Sequence, residues 1–139
     1  MIVVALIAVA AGVVSLALRD PSSTRLQIEA QRLSTLLESA RAESRASGMA
    51  VHWVPSNVGD EVHFRFLLIS GTRSTTMAMP TRWLDSHVQA EVVDARIVQL
   101  GPEPLIGAQR IVLRLADQRV ELATDGLGPF VVIDDEAKS

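Results

Sequence analysis

Residues 26–54, LQIEAQRLSTLLESARAESRASGMAVHWV, change their hydrophobic period once, at Gly48. Before it, Leu26, Ala30, Leu33, Leu37 and Ala40 fall at steps of four, three, four and three, which draws an apolar stripe down one helix face. Leu36 widens the stripe, and Arg32, Glu38, Arg41, Glu43 and Arg45 occupy much of the remaining surface. Ser47 and Gly48 are stop signals for a helix. After them, Met49 to Val54 reads as a strand. A helix that hands over to a strand without a long linker predicts an α+β domain, with the helix covering one face of a small antiparallel sheet. Its stripe is therefore expected to pack on its own domain. A coiled-coil dimer is the weaker alternative, because the pattern lasts about two heptads and a coiled coil needs about three or four.

Upstream, Met1 to Leu18 carries no charged residue. A helix of that length, at about 1.5 Å per residue, approaches the roughly 30 Å hydrocarbon thickness of a bilayer. A membrane span is expected here, running through Met1, Ala5, Ala10, Gly12 and Leu18. Ala8-Val9-Ala10 has the small-x-small form of a signal-peptide cleavage site, but no Lys or Arg precedes the apolar run, so a retained anchor is the expectation. Charge alone leaves the orientation open. Pro21 lacks the N–H that would bond to Ala17, which predicts a kink or a break, with Ser22, Ser23 and Thr24 as caps of a restarted helix. The chain thus divides into a span (1–18), an amphipathic helix (19–48), a β-rich head (49–133) and a polar tail (134–139).

Within the head, strands are expected at Met49–Val54, Glu61–Leu68, Ser74–Met79, Val88–Leu100, Arg110–Leu115, Arg119–Ala123 and Phe130–Ile133. Loops are expected at Pro55–Asp60 and around Gly101, Pro102 and Pro104. Ala116-Asp117-Gln118 reads as a hairpin loop, and Asp125-Gly126 as a turn.

The chemistry-bearing residues are sparse. The chain has no cysteine, which excludes disulfides, thiolate nucleophiles and cysteine-based zinc sites. His52, His63 and His87 lack metal-ligand spacing; His52 and His63 could meet across a hairpin, but ordinary strand positions are the expected reading. Asp85-Ser86-His87 holds triad residue types, yet immediate neighbours cannot adopt triad geometry with each other. Asp134-Asp135-Glu136 could offer oxygens to calcium, but without a loop glycine and spaced carboxylates it reads as a solvated tail. Trp53 and Trp83 are expected in the core or at an edge. Asp125-Gly126-Leu127-Gly128-Pro129 precedes a strand and not a helix, so a turn is expected and not a phosphate cradle. No catalytic, cofactor-binding or metal motif is found, so no enzyme activity and no cofactor are expected. From Met49 onward seven Arg and one Lys face twelve acids. That balance disfavours a general nucleic-acid grip.

Taken in order, these parts resemble a known family. The apolar Met1–Gly12 segment resembles that of type IV pilin-like proteins. Leu33 to Val51 resembles the helix-to-first-strand passage of the H-type minor pseudopilins of type II secretion, and Leu122 to Val132 resembles that family's closing Asp-Gly, Pro and strand signature. The resemblance implies a single-pass subunit of the bacterial inner membrane, with a head of one helix and two sheets in the periplasm. Such a subunit is non-enzymatic and stands at or near the tip of a pseudopilus that supports export of folded proteins. Its implied partners are other minor pseudopilins, the major pseudopilin, the inner-membrane assembly platform and secreted substrates. The family's basic leader, Gly-Phe cleavage and methylation point and early glutamate are not among these residues; the expectation is a reading frame that begins upstream of Met1. The exposed side of Arg25–Arg45, with Arg32 and Arg41 as partner contacts, and the loops at Ser56–Asp60 and Gly101–Gly107 are the expected docking surfaces. A DNA-binding minor pilin of a type IV pilus is one alternative, disfavoured by the acidic tail with Lys138 alone to oppose it. A membrane-anchored periplasmic binding module or enzyme is the other.

Overall fold

The computed structural model describes residues 21–56 and 62–133. The expected span at Met1–Leu18, most of the expected Pro55–Asp60 loop and the acidic tail lie outside the described residues. Among those described, no helix is long and apolar enough to cross a membrane.

Helix α1 runs Pro21–Ser47. Pro21 is the first described residue of this helix, so the expected kink or break before it lies outside the described residues. Ser22, Ser23 and Thr24 are themselves helical and do not cap a restarted helix, contrary to the sequence expectation. At the other end, Gly48 takes φ 71° and its N–H reaches the Ser44 carbonyl at 2.9 Å. This left-handed closure satisfies a terminal carbonyl and turns the chain into the first strand. Leu26, Ala30, Leu33, Leu37 and Ala40 are fully buried.

The strands are β1 (Ala50–Pro55), β2 (Phe64–Ser70), β3 (Arg73–Thr76), β4 (Gln89–Val92), β5 (Val98–Gln99), β6 (Gln109–Leu115), β7 (Gln118–Thr124) and β8 (Val131–Ile133). They form two antiparallel four-stranded sheets, ordered β3-β2-β1-β5 and β4-β6-β7-β8. The architecture is α+β, one helix with two sheets among the described residues. Helix α1 packs mainly against β6, β7 and β8, with β1 beside it. The core gathers the helix stripe with Trp53, Phe64 and Phe66 of the first sheet and Ile111, Leu113 and Leu122 of the second.

Several strand expectations are corrected. Val88–Leu100 is not one strand but two, β4 in one sheet and β5 in the other. Between them Asp94 adopts φ 59°, and Val93 donates to the Arg110 carbonyl at 3.0 Å. Asp tolerates the left-handed region better than the β-branched residues around it, so the chain changes sheets there. Val88, Ala90 and Val92 still face the core on one side of the break, as do Val98 and Leu100 on the other. Strand β3 ends at Thr76, because Met79 donates to the Met77 carbonyl at 2.9 Å and folds back. In the β6–β7 hairpin Gln118 pairs with Leu115, leaving a two-residue loop of Ala116 and Asp117, with Ala116 at φ 55°.

The 80–88 segment is pinned by Trp83. Its ring lies 4.6 Å from Phe64 and 6.4 Å, edge-on, from Trp53. The Trp83 backbone N–H donates to His63 Nδ1 at 2.8 Å. Trp83 thereby holds the following turn against the first half of α1.

Candidate functional site

The polar residues of α1 mark a seam. Glu29, Arg32, Ser34, Glu38 and Arg41 reach across to loops of the head, and Arg25, though exposed, meets Asp85 at 3.4 Å. Arg32 Nη1 donates to the Arg82 carbonyl at 2.9 Å. Ser34 Oγ donates to the Phe130 carbonyl at 2.6 Å, and Glu38 Oε2 accepts the Phe130 N–H at 3.3 Å. Both backbone groups of one residue beside β8 are thus held by the middle of the helix.

At the C-terminal end of the seam, Arg41 is 2 % exposed. Its Nη1 donates to the Gly128 carbonyl at 2.7 Å, and its Nη2 to the carbonyls of Pro104, Gly126 and Leu127 at 3.1, 3.0 and 3.2 Å. Its Nε has no partner. Carbonyl dipoles from three consecutive turn residues and from the 101–107 loop converge on one planar cation. Inside a poorly solvated seam a guanidinium suits them, being always charged and presenting donors in a fixed fork. The turn is locked from its own side as well. Asp125 Oδ1 accepts from Leu127 and Gly128 at 2.9 and 2.8 Å, and Thr124 Oγ1 donates to the Gly128 carbonyl at 2.8 Å. The N–H groups of Gly128 and then Leu127 hold the Asp125 carboxyl below its usual range. Gly126, at φ 99°, passes so close to Gly107 that an added Cβ would lie 2.6 Å from its carbonyl carbon.

At the N-terminal end the seam is looser. Glu29, 1 % exposed, accepts the Leu84 N–H on Oε1 at 2.9 Å, and its Oε2 has no hydrogen-bond partner. Burial raises its carboxyl above the ordinary 4.5, with the Leu84 N–H and Arg32 pulling the other way and Asp85 adding to the rise. Asp85 accepts the His87 N–H at 2.9 Å, meets the His87 ring at 3.1 Å and meets Arg25 at 3.4 Å. The His87 N–H first, and the ring and Arg25 further, keep Asp85 below its usual range. Ile28 and Leu84 stand beside these carboxylates, exposed.

The outer face of α1 is unlike its seam. Thr24, Ile28, Gln31, Thr35, Ser39, Ala42 and Ala46 are all exposed and uncharged. They succeed one another at three- and four-residue steps, so they form one outward stripe. The helix turns Glu29, Arg32, Glu38 and Arg41 toward the head and leaves this narrow uncharged strip outside, flanked by the exposed charges of Arg25, Glu43 and Arg45. Of the two expected partner contacts, Arg41 is corrected here, since it is buried on the chain's own carbonyls; Arg32 is half-buried and donates to the Arg82 carbonyl.

The histidines are not brought together. His52 sits opposite Leu67 in the β1–β2 ladder, and His63 lies beside Ser56, four residues further along, about 13 Å at strand spacing. Burial lowers the His52 pKa. Among the described residues, no group of three or more His, Cys, Asp or Glu is placed to hold a metal ion. Asp85 and His87 do form a pair, but through the one oxygen, Oδ1, that also accepts the His87 backbone N–H, and the His87 side chain is 84 % exposed.

Sequence reading missed the roles of Glu29 and Arg41. Arg41 adjoins the apolar stripe at Ala40, but no local pattern points it at Gly128, 87 residues further on. Nothing in the local pattern marks Glu29. No family model matches the sequence, and no curated protein or solved structure matches it.

Proposed function

We propose that this chain is a non-enzymatic scaffold subunit of a pilin-like membrane assembly, in the role of a minor pseudopilin near the tip of a type II secretion pseudopilus. The observation that carries the reading is the relation of α1 to the head. One helix follows an uncharged 18-residue run of sequence, buries its whole apolar stripe in a two-sheet head, and leaves an uncharged outer stripe running its length. Such a rod carries a head rigidly and presents a smooth side to a neighbouring rod. Apolar helices leave lipid by burying against other helices, so anchorage and assembly can share one surface. The family resemblance of Leu33–Val51 and Leu122–Val132 supports the same role, as does the acidic balance of the head, which disfavours DNA as a partner.

The test is site-specific photocrosslinking from Thr35 and from Ala42 in cells that assemble a secretion pseudopilus. The expected result is crosslinks to other pilin-like subunits, together with loss of export when the chain is deleted. Retention of DNA by the purified head at moderate salt, or export that continues without the chain, would overturn the reading.

A further inference from the structure

A cleft of about 490 Å³ opens between the first turns of α1 and the turn that follows Trp83, lined by Arg25, Ile28, Glu29, Leu84, Asp85 and His87. Its chemistry is divided. Ile28 and Leu84, 52 % and 68 % exposed, give it an apolar rim. Glu29 and Asp85 give it two carboxylates near enough for the charge of one to act on the other. The cations facing Glu29 are weakly committed to it. From its own helix, Arg32 is bonded to the Arg82 carbonyl, and Arg25 reaches Asp85 at 3.4 Å from a side chain 65 % exposed. From the facing turn, the His87 ring lies against Asp85. Glu29 Oε2 remains buried without a donor. A carboxylate oxygen in that position is costly, and its cost is relieved when a cationic donor arrives.

We propose that this cleft receives a basic side chain, lysine or arginine, presented by a partner protein. The methylene stem lies over Ile28 and Leu84, and the cation seats between Asp85 and Glu29, loosening Arg25 from Asp85. Reaching Oε2, which is buried in the free chain, requires a local shift of the cleft wall. An acidic group would meet two carboxylates, and a purely apolar one would leave Oε2 as it is. A bare metal ion is a poorer occupant, since hard divalent cations take six or more oxygen ligands and only two carboxylates converge among the described residues. The inference rests on the scaffold reading and names the chemistry of one of its partners.

Three probes separate the outcomes, each titrated into the full chain in detergent micelles: Nα-acetyl-arginine methylamide, its citrulline counterpart, which keeps shape without charge, and Nα-acetyl-glutamate methylamide. Amide resonances of Ile28 and of Leu84 to His87 report binding. The expected result is saturable shifts with the arginine probe and affinity about tenfold weaker with citrulline, as loss of a charge-assisted hydrogen bond implies. Binding should weaken at least severalfold in Asp85→Asn and in Glu29→Gln, each checked for native Trp83 and methyl signals. Equal binding of arginine and citrulline probes, indifference to Asp85→Asn in a folded variant, or no saturable shift overturns the proposal. None of these results bears on crosslinking from Thr35 or Ala42, so the cleft and the scaffold reading fail separately.

Discussion

The two ends of α1 meet the head in opposite ways. At its C-terminal end, Arg41 is buried under four backbone carbonyls, and the turn it grips is also held by Asp125 and Thr124. At its N-terminal end, Glu29 is as deeply buried but holds one N–H, has one oxygen without a donor, and lies between exposed Ile28 and Leu84. Both residues are charged and buried on one helix. The first closes a structure and the second leaves it open. A buried charge met by several partners stabilises a fold, whereas one that is short of partners costs stability and marks where an outside group can be received.

The sharpest way to break that comparison is to remove the filled end. Arg41→Ala strips donors from four carbonyls and is expected to cost about 4 kcal/mol, since each buried acceptor left unsatisfied costs about 1–3 kcal/mol and part of the turn can reach water. Arg41→Lys should recover little of it, because a single ammonium cannot span the same carbonyls. Urea unfolding followed by the fluorescence of Trp53 and Trp83, both in the core, measures this. A loss under about 1 kcal/mol would mean that the turn holds itself. Gly126→Ala probes the same end without touching charge. It combines a strained φ with a Cβ driven into the Gly107 backbone, and is expected to cost about 3 kcal/mol in the same assay.

The open end should respond to pH, more gently. The Glu29 carboxyl binds its proton more tightly in the folded state than in the unfolded chain. Its contribution to stability is therefore fully present below about 4.5 and is lost as pH rises through the raised folded value. Asp85 and Asp125 act in reverse: their contributions are present above about 3.8 and are lost as pH falls through their lowered values. Glu29→Gln should abolish the decline in urea midpoint between about pH 4.5 and neutrality while keeping the acid decline below it. An unchanged pH profile in this variant would show that Glu29 is not desolvated in solution.

Much of the fold was legible because it depends on periodicity. The step pattern of Leu26 to Ala40 names the buried face of α1, and the change at Gly48 locates the first strand within a residue. The stretch Val88 to Leu100 reads as one strand and folds as two, since Asp94 could be read as polar but not as a left-handed residue between two sheets. The candidate site was less legible. Leu84 and Glu29 are 55 residues apart, and Arg41 reaches Gly128 across 87. No local pattern encodes such a meeting.

What the sequence determined by itself is therefore the local grammar: an uncharged leading run, a helix with one apolar face, a β-rich head, and the turns at Gly48 and Asp125-Gly126. These follow from side-chain period and backbone permissiveness, which act between near neighbours. The tertiary structure alone decided which buried charges find partners. Glu29 and Arg41 are both helix residues beside an apolar stripe, and the sequence gives no reason to treat them differently. Their fates diverge because one faces a turn whose carbonyls converge and the other a turn whose N–H groups are mostly spent on Asp85 and His63. Desolvation and hydrogen-bond supply are properties of the assembled interior.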